Sequence, residues 1–176
     1  MRTTIFFSFM VMLLVGCDAD PSLEKYFVAH SEDPNYIVMD VSPDILNVSK
    51  ESLSTTDVSA FESFEKMNVL AFKATNKNKA MFDIERDKVD ALLKDKKYQQ
   101  LVRFGAGKEG ASLSYVGTNN HIEEFVLFAN KKETGFTVIR IIGDDMSPTN
   151  VVTMLRLLKK SKVDLAQLKP LEQLMK

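Results

Sequence analysis

Residues 102–142 read VRFGAGKEGASLSYVGTNNHIEEFVLFANKKETGFTVIRII, and the period of this stretch decides the fold. Before it, apolar residues recur every three to four positions; within it they alternate. Val102-Arg103-Phe104 and Ser112 to Val116 flank a glycine-rich turn. His121 to Ala129 and Thr134 to Ile142 follow, joined by the polar run Asn130-Lys131-Lys132-Glu133. Four strands with such short connections make an antiparallel meander.

Working outward, Asp144-Asp145 and Ser147-Pro148 read as the start of a helix running to about Lys160, with Val151, Val152, Leu155 and Leu158 as its apolar stripe. A last segment, 161–176, holds Leu165, Leu168, Leu171 and Leu174. Pro170 divides it into short helical pieces. Upstream, the strongest helical pattern runs from Ala80 to Asp95 with Phe82, Val89, Leu92 and Leu93 inward, followed by a turn over Tyr98 to Leu101. Asn68 to Ala74 reads as a strand that aligns Leu70, Phe72 and Ala74. A helix capped at Thr56 or Asp57 is expected to precede it, reaching Met67. Tyr36 to Val41 reads as a first strand, Asp44 to Val48 as a turn of helix, and Ser22 as the cap of a short helix through His30. This order predicts one α+β domain over 22–160: a mostly antiparallel sheet, a four-stranded C-terminal meander, and helices packed on one face.

The length of 176 residues fits one domain. Basic residues number 23 and acidic residues 24, so no excess charge points to nucleic acid. One cysteine excludes an intramolecular disulfide and a multi-cysteine zinc site; two histidines exclude a three-histidine metal centre. No cofactor motif or metal-ligand spacing stands out, and no cofactor is expected.

The lone cysteine is placed with purpose. Arg2 precedes an apolar run from Ile5 to Gly16 that is too short to span a bilayer, which needs about 20 residues. It ends Leu14-Val15-Gly16-Cys17, the form of a lipoprotein cleavage site. Small Gly16 suits the peptidase, and the Cys17 thiol accepts a diacylglyceryl group. Residues 1–16 are thus expected to be a lipoprotein signal and 17–21 a lipidated tether. Removing the signal takes Arg2 and leaves 22 basic residues (one fewer than 23) against 24 acidic, so lipid rather than charge must hold the chain on the membrane. Asp18 directly after Cys17 bears on sorting, and the outer membrane is favoured over the inner.

With these elements in place, the chain resembles a bacterial family catalogued as domain of unknown function 4252. The resemblance rests on the early strand followed by Ser42-Pro43-Asp44. It rests also on the charged helix leading to Tyr98-Gln99-Gln100-Leu101-Val102-Arg103, on Glu124-Phe125-Val126-Leu127, and on Phe136-Thr137-Val138-Ile139-Arg140-Ile141-Ile142-Gly143-Asp144. It covers about Tyr26 to Lys160. It implies secreted proteins or lipoproteins of Gram-negative envelopes, and it brings no catalytic residues.

Candidate chemistry is sparse. Gly105-Ala106-Gly107-Lys108-Glu109-Gly110 matches G-x-G-x-x-G, but a dinucleotide site needs a helix after it, and here a strand follows. A hairpin turn is the reading. His30 beside Ser31, Glu32 and Asp33 reads as a solvated turn. His121 and Glu123 share a face by alternation and are candidates for ligand or partner contact. So is Arg140, the one charge in an apolar strand, for which Asp40 or Glu124 is the expected partner on an open sheet face. That face, with Val126, Phe128 and Phe136, is expected to lie under the C-terminal leucines. The function expected is a membrane-anchored lipoprotein whose non-catalytic domain binds a protein or envelope component. The alternative is an enzyme acting on an envelope substrate near His121 and Arg140.

Overall fold

The computed structural model describes residues 20–43, 53–105, 109–119 and 121–160. The expected signal, Cys17, the helical turn expected at 44–48 and the short helical pieces expected at 161–176 lie outside them. The described residues form one α+β domain in the order α1 Leu23–Ala29, β1 Tyr36–Val41, α2 Thr55–Glu62, β2 Phe64–Lys73, α3 Lys79–Leu92, β3 Gln99–Phe104, β4 Gly110–Thr118, β5 His121–Lys131, β6 Gly135–Met146 and α4 Pro148–Lys160. No helix among them is long and apolar enough to cross a membrane.

All six strands join one antiparallel sheet in the order β1-β2-β6-β5-β4-β3. The meander β3 to β6 is as the alternation predicts, and β1 reaches β2 through α2. The glycine motif sits in the β3–β4 turn, with Gly105 at φ +99° and Gly110 at φ +152°. That left-handed backbone is what glycine permits.

The helices lie on both faces of the sheet, not on one. Leu23 and Phe27 of α1 and Phe82 and Val89 of α3 pack with Leu70, Phe72, Val126, Phe128, Phe136 and Val138. On the other face, Ala60 of α2 and Leu157 of α4 meet Val41, Phe64 and Val69. Val151 of α4 meets Phe125 and Ile122 there. Two-sided burial explains why β2 carries the unbroken buried run Val69-Leu70-Ala71-Phe72 instead of alternating with polar residues. The face carrying Arg140 is therefore closed by α1 and α3. The C-terminal leucines expected to cover it lie outside the described residues.

Local boundaries shift for related reasons. The helix expected to reach Met67 ends at Glu62, where the Ser63 hydroxyl donates to the Ala60 carbonyl (2.9 Å). Phe64 to Met67 then extend β2. Tyr98 to Leu101 is mostly strand, not turn, because Gln99 and Gln100 already pair with Tyr115 and Ser114. Asp144 and Asp145 belong to β6; the cap of α4 is Ser147, whose Oγ accepts from the Asn150 N–H. In α4 the inward residues include Val151 and Leu157, while Val152 faces solvent. Ser22 does cap α1, its Oγ accepting from the Lys25 N–H at 3.3 Å.

Candidate functional site

Arg140 stands at the middle of β6, between Asn68 of β2 and Val126 of β5 in the register. Its side chain is buried, at 6% exposure, and Nε donates to Glu124 Oε1 at 2.6 Å. Nη2 reaches the exposed Glu24 of α1 at 3.4 Å, and the guanidinium lies 5.8 Å from the Phe27 ring centre. Burial works against the Arg140 charge, but the Glu124 carboxylate outweighs it and holds the pKa above the ordinary arginine value. The expected pairing with Glu124 is present. Asp40, the other expected partner, accepts instead from the Asn68 amide. Tyr98 belongs to the same environment: burial, and then the Glu124 charge, push its phenol up.

His121 is exposed at the start of β5, and its Nδ1–H donates to Asp145 Oδ1 of β6. Glu123 is exposed two residues on. His121 lies five residues along β5 from Val126, the partner of Arg140, roughly 15 Å at the rise of a strand. The structure thus separates the expected contact residues into a buried pair and an exposed one.

Sequence reasoning missed a third group. Tyr26 of α1 donates through its hydroxyl to Glu85 Oε2 of α3 at 2.9 Å, and its oxygen lies 3.0 Å from the hydroxyl of Tyr36 on β1. His30 is wedged between these rings, 4.2 Å from each ring centre. Its Nδ1–H donates to the Tyr26 carbonyl at 2.8 Å, which turns Nε2 toward Glu85 Oε2 at 3.5 Å. Lys88 completes the group at 2.7 Å from Glu85 Oε1. His30 is thus half-buried in a network tying α1, β1 and α3, not part of a solvated turn. Burial pushes both tyrosine hydroxyls above the ordinary phenol range, so they remain protonated donors. Burial also pushes the Glu85 carboxyl up, but bonds from Lys88, Tyr26 and Tyr36 outweigh it and leave the pKa below the ordinary glutamate value.

A depressed carboxyl contributes stability that is present above its unfolded pKa and is lost as pH falls through the folded one. The thermal midpoint is therefore expected to fall on acidification through and below the ordinary glutamate range. Glu85→Gln should flatten part of that fall and lower the midpoint at neutral pH. An unchanged acid limb in the variant would show that the network contributes no linkage.

Concavities border this helical layer. One, of about 260 Å³, lies between α3 and the β3–β4 hairpin and includes Arg86, Asp90, Arg103 and Asn130 in its lining. Arg86 pairs with Asp83 and Asp87, and Arg103 with Asp90, while Glu109 accepts from the Lys132 backbone N–H. Another is an apolar groove of about 390 Å³ between α1 and α3, beside Tyr26 and Leu92. No group of three or more metal-ligating side chains occurs among the described residues.

Residues 26–154 match a family model described as Domain of unknown function (DUF4252). No curated protein and no solved structure matches the chain.

Proposed function

The chain belongs to the DUF4252 family, and from that premise and its own residues we propose that it is an envelope lipoprotein. It is held on a membrane by acyl chains on Cys17, with its α+β domain displayed for non-catalytic binding of a protein or another envelope component. The observation that carries this reading is the position of the lone cysteine. Cys17 directly follows Leu14-Val15-Gly16 at the end of the apolar leader, and charged residues begin at Asp18. A single acyl chain gives only marginal membrane binding, so a diacylglyceryl thioether plus a third chain on the new N-terminus makes a durable anchor. The outer membrane is the favoured destination.

The placement of the polar residues supports binding over the enzymatic alternative. That alternative needs His121 and Arg140 to act together. Arg140 is engaged with Glu124 and Glu24 beneath α1, and His121 with Asp145 at the far end of β5. Neither pair shares a cleft with the other. The exposed pair at His121, with Glu123, remains a contact candidate for a partner.

Processing tests the anchor. Cys17→Ser is expected to abolish lipoprotein-type cleavage and leave the uncut precursor in the membrane fraction. A cleavable secretory signal fused directly to Asp18 should instead release a soluble periplasmic domain. Normal cleavage of the Cys17→Ser precursor would contradict the proposal. Cross-linking in intact cells should trap a discrete envelope component on the wild-type protein, and recovery of none would count against the binding role.

A further inference from the structure

The apolar groove between α1 and α3 opens where the tether enters the domain. Pro21, Tyr26, Ala29, Ala91 and Leu92 form its apolar wall. Lys25 and Lys88 stand along the same groove, one from each helix. Lys25 Nζ donates to the Asp20 carbonyl at 2.9 Å, which holds the last residues of the tether against the first turn of α1. The outer surfaces of the two helices also expose Val28 at 74% and Ile84 at 58%. Phe104 and Val152 are as exposed elsewhere, so these two side chains mark nothing alone; the apolar wall beside the tether is what sets this face apart.

The length of the tether limits what that surface can be. Cys17 lies four residues before Pro21. Four residues span at most roughly 14 Å when fully extended. The headgroup and interface layer on one side of a bilayer is about 5 to 8 Å thick, so even a fully extended tether keeps Pro21 within roughly 10 Å of the lipid surface. A domain tethered so closely cannot turn its tether-bearing groove far from the lipid. From this we infer that the α1–α3 groove is a membrane-docking surface: it seats on the phospholipid interface, its apolar wall against the acyl boundary and its lysine ammoniums at the phosphates. The chemistry suits that layer. Lysine stems cover apolar surface while their charged heads reach outward. Lys88 keeps its bond to Glu85 yet has 57% of its side chain exposed, and an ammonium has three donors to share. With little net charge on the whole domain, docking of this kind follows the lipid anchor rather than replacing it. The inference therefore rests on lipidation at Cys17.

The test uses full-length protein, purified from membranes with its lipid and reconstituted into vesicles of phosphatidylethanolamine and phosphatidylglycerol. Ala91 is exposed, and in the lipidated chain the Cys17 sulfur is a thioether, so Ala91→Cys introduces a unique thiol for an environment-sensitive dye. Lys132→Cys is the control: Lys132 shares a cavity with Lys79, at the other end of α3 and roughly 18 Å from Ala91 along the helix. Dye at position 91 is expected to shift to the blue on reconstitution. Lipids carrying a nitroxide near the headgroup should quench it at least threefold more than dye at position 132. Equal quenching at the two positions, with fatty acid present on the protein, would overturn docking and leave the anchor standing. A blue shift at 91 without lipid quenching would mean that protein, a second copy included, covers the groove, and would overturn it too. Protein that carries no fatty acid would overturn the anchor and the docking together.

Discussion

Phe72→Ala is expected to destabilise the domain by about 3 to 5 kcal/mol, the usual cost of truncating a fully buried phenylalanine. Phe72 is 1% exposed in the interior strand β2, between β1 and β6. It stacks on Phe136 of β6 with ring centres 5.3 Å apart and planes within 7°. It also meets Tyr36 of β1 edge-on at 5.2 Å and Phe82 of α3 at 6.3 Å. One ring thus joins three strands to a helix of the covering layer. Neighbours fixed in a sheet relax little, so most of the deleted volume should persist as a cavity. At about 2 to 4 °C per kcal/mol for a chain of this size, the thermal midpoint should fall by roughly 6 to 20 °C. Phe72→Leu keeps much of the volume and should cost about half as much. Urea unfolding with both variants checks this, and a loss under about 1 kcal/mol for alanine would place the centre of the core elsewhere.

Glu124→Gln is the second large effect, expected at about 3 to 5 kcal/mol. The substitution preserves shape but removes the countercharge from a buried guanidinium. Glu24 remains, but it is mostly exposed and 3.4 Å away, so water screens much of its field. Replacing both partners, as Glu124→Leu with Arg140→Met, removes the buried charges together. The double variant should recover most of the lost stability, because two apolar side chains there owe no desolvation. The coupling in such a cycle separates a buried ion pair from two independent packing positions. Additive losses would refute the pairing.

Much of the fold was legible because its signals are local. The alternation of Ser112 to Val116 and of His121 to Ala129 and the Ser22 cap concern residues close in sequence, and each stands where expected. The turn expected at Asn130 to Glu133 is shifted to Lys132 to Thr134, because Asn130 and Lys131 still pair in β5. What was not legible depends on covering layers. A strand pattern shows which residues are apolar, not what closes over them. Val69-Leu70-Ala71-Phe72 and Val138-Ile139-Arg140-Ile141 carried the sign of two-sided burial, since a half-solvated strand would alternate. One-sided burial would leave a single helical layer and an open face around Arg140, whereas α1 and α3 close that face and α2 and α4 cover the other. Phe64 to Met67 could continue either a helix or a strand by composition. The pairing of Phe64 with Gly143 and Met67 with Ile141 decides it, over a separation no local pattern reaches.

The same distinction runs through the candidate site. Arg140 was findable as a lone charge in an apolar strand, and its partner was the buried acid one strand away. Asp145 reads as part of a helix start because it precedes Ser147-Pro148, yet it is the hydrogen-bond partner of His121. The group around Glu85 gave no signal. Tyr26 and Glu85 are 59 positions apart, and Glu85 looked like one of many charges on a solvated helix face. A spacing hint was present in hindsight: Phe82, Glu85 and Val89 share one stripe of α3, so an acid stood on the inward side.

Cys17 is the residue on which the functional account depends, and metabolic labelling tests it most directly. Cells expressing the wild-type chain are grown with a clickable fatty acid and the protein is isolated under denaturing conditions. The account predicts label on the wild-type protein and none on Cys17→Ser. An unlabelled wild-type protein, recovered at normal abundance, would contradict the lipid anchor.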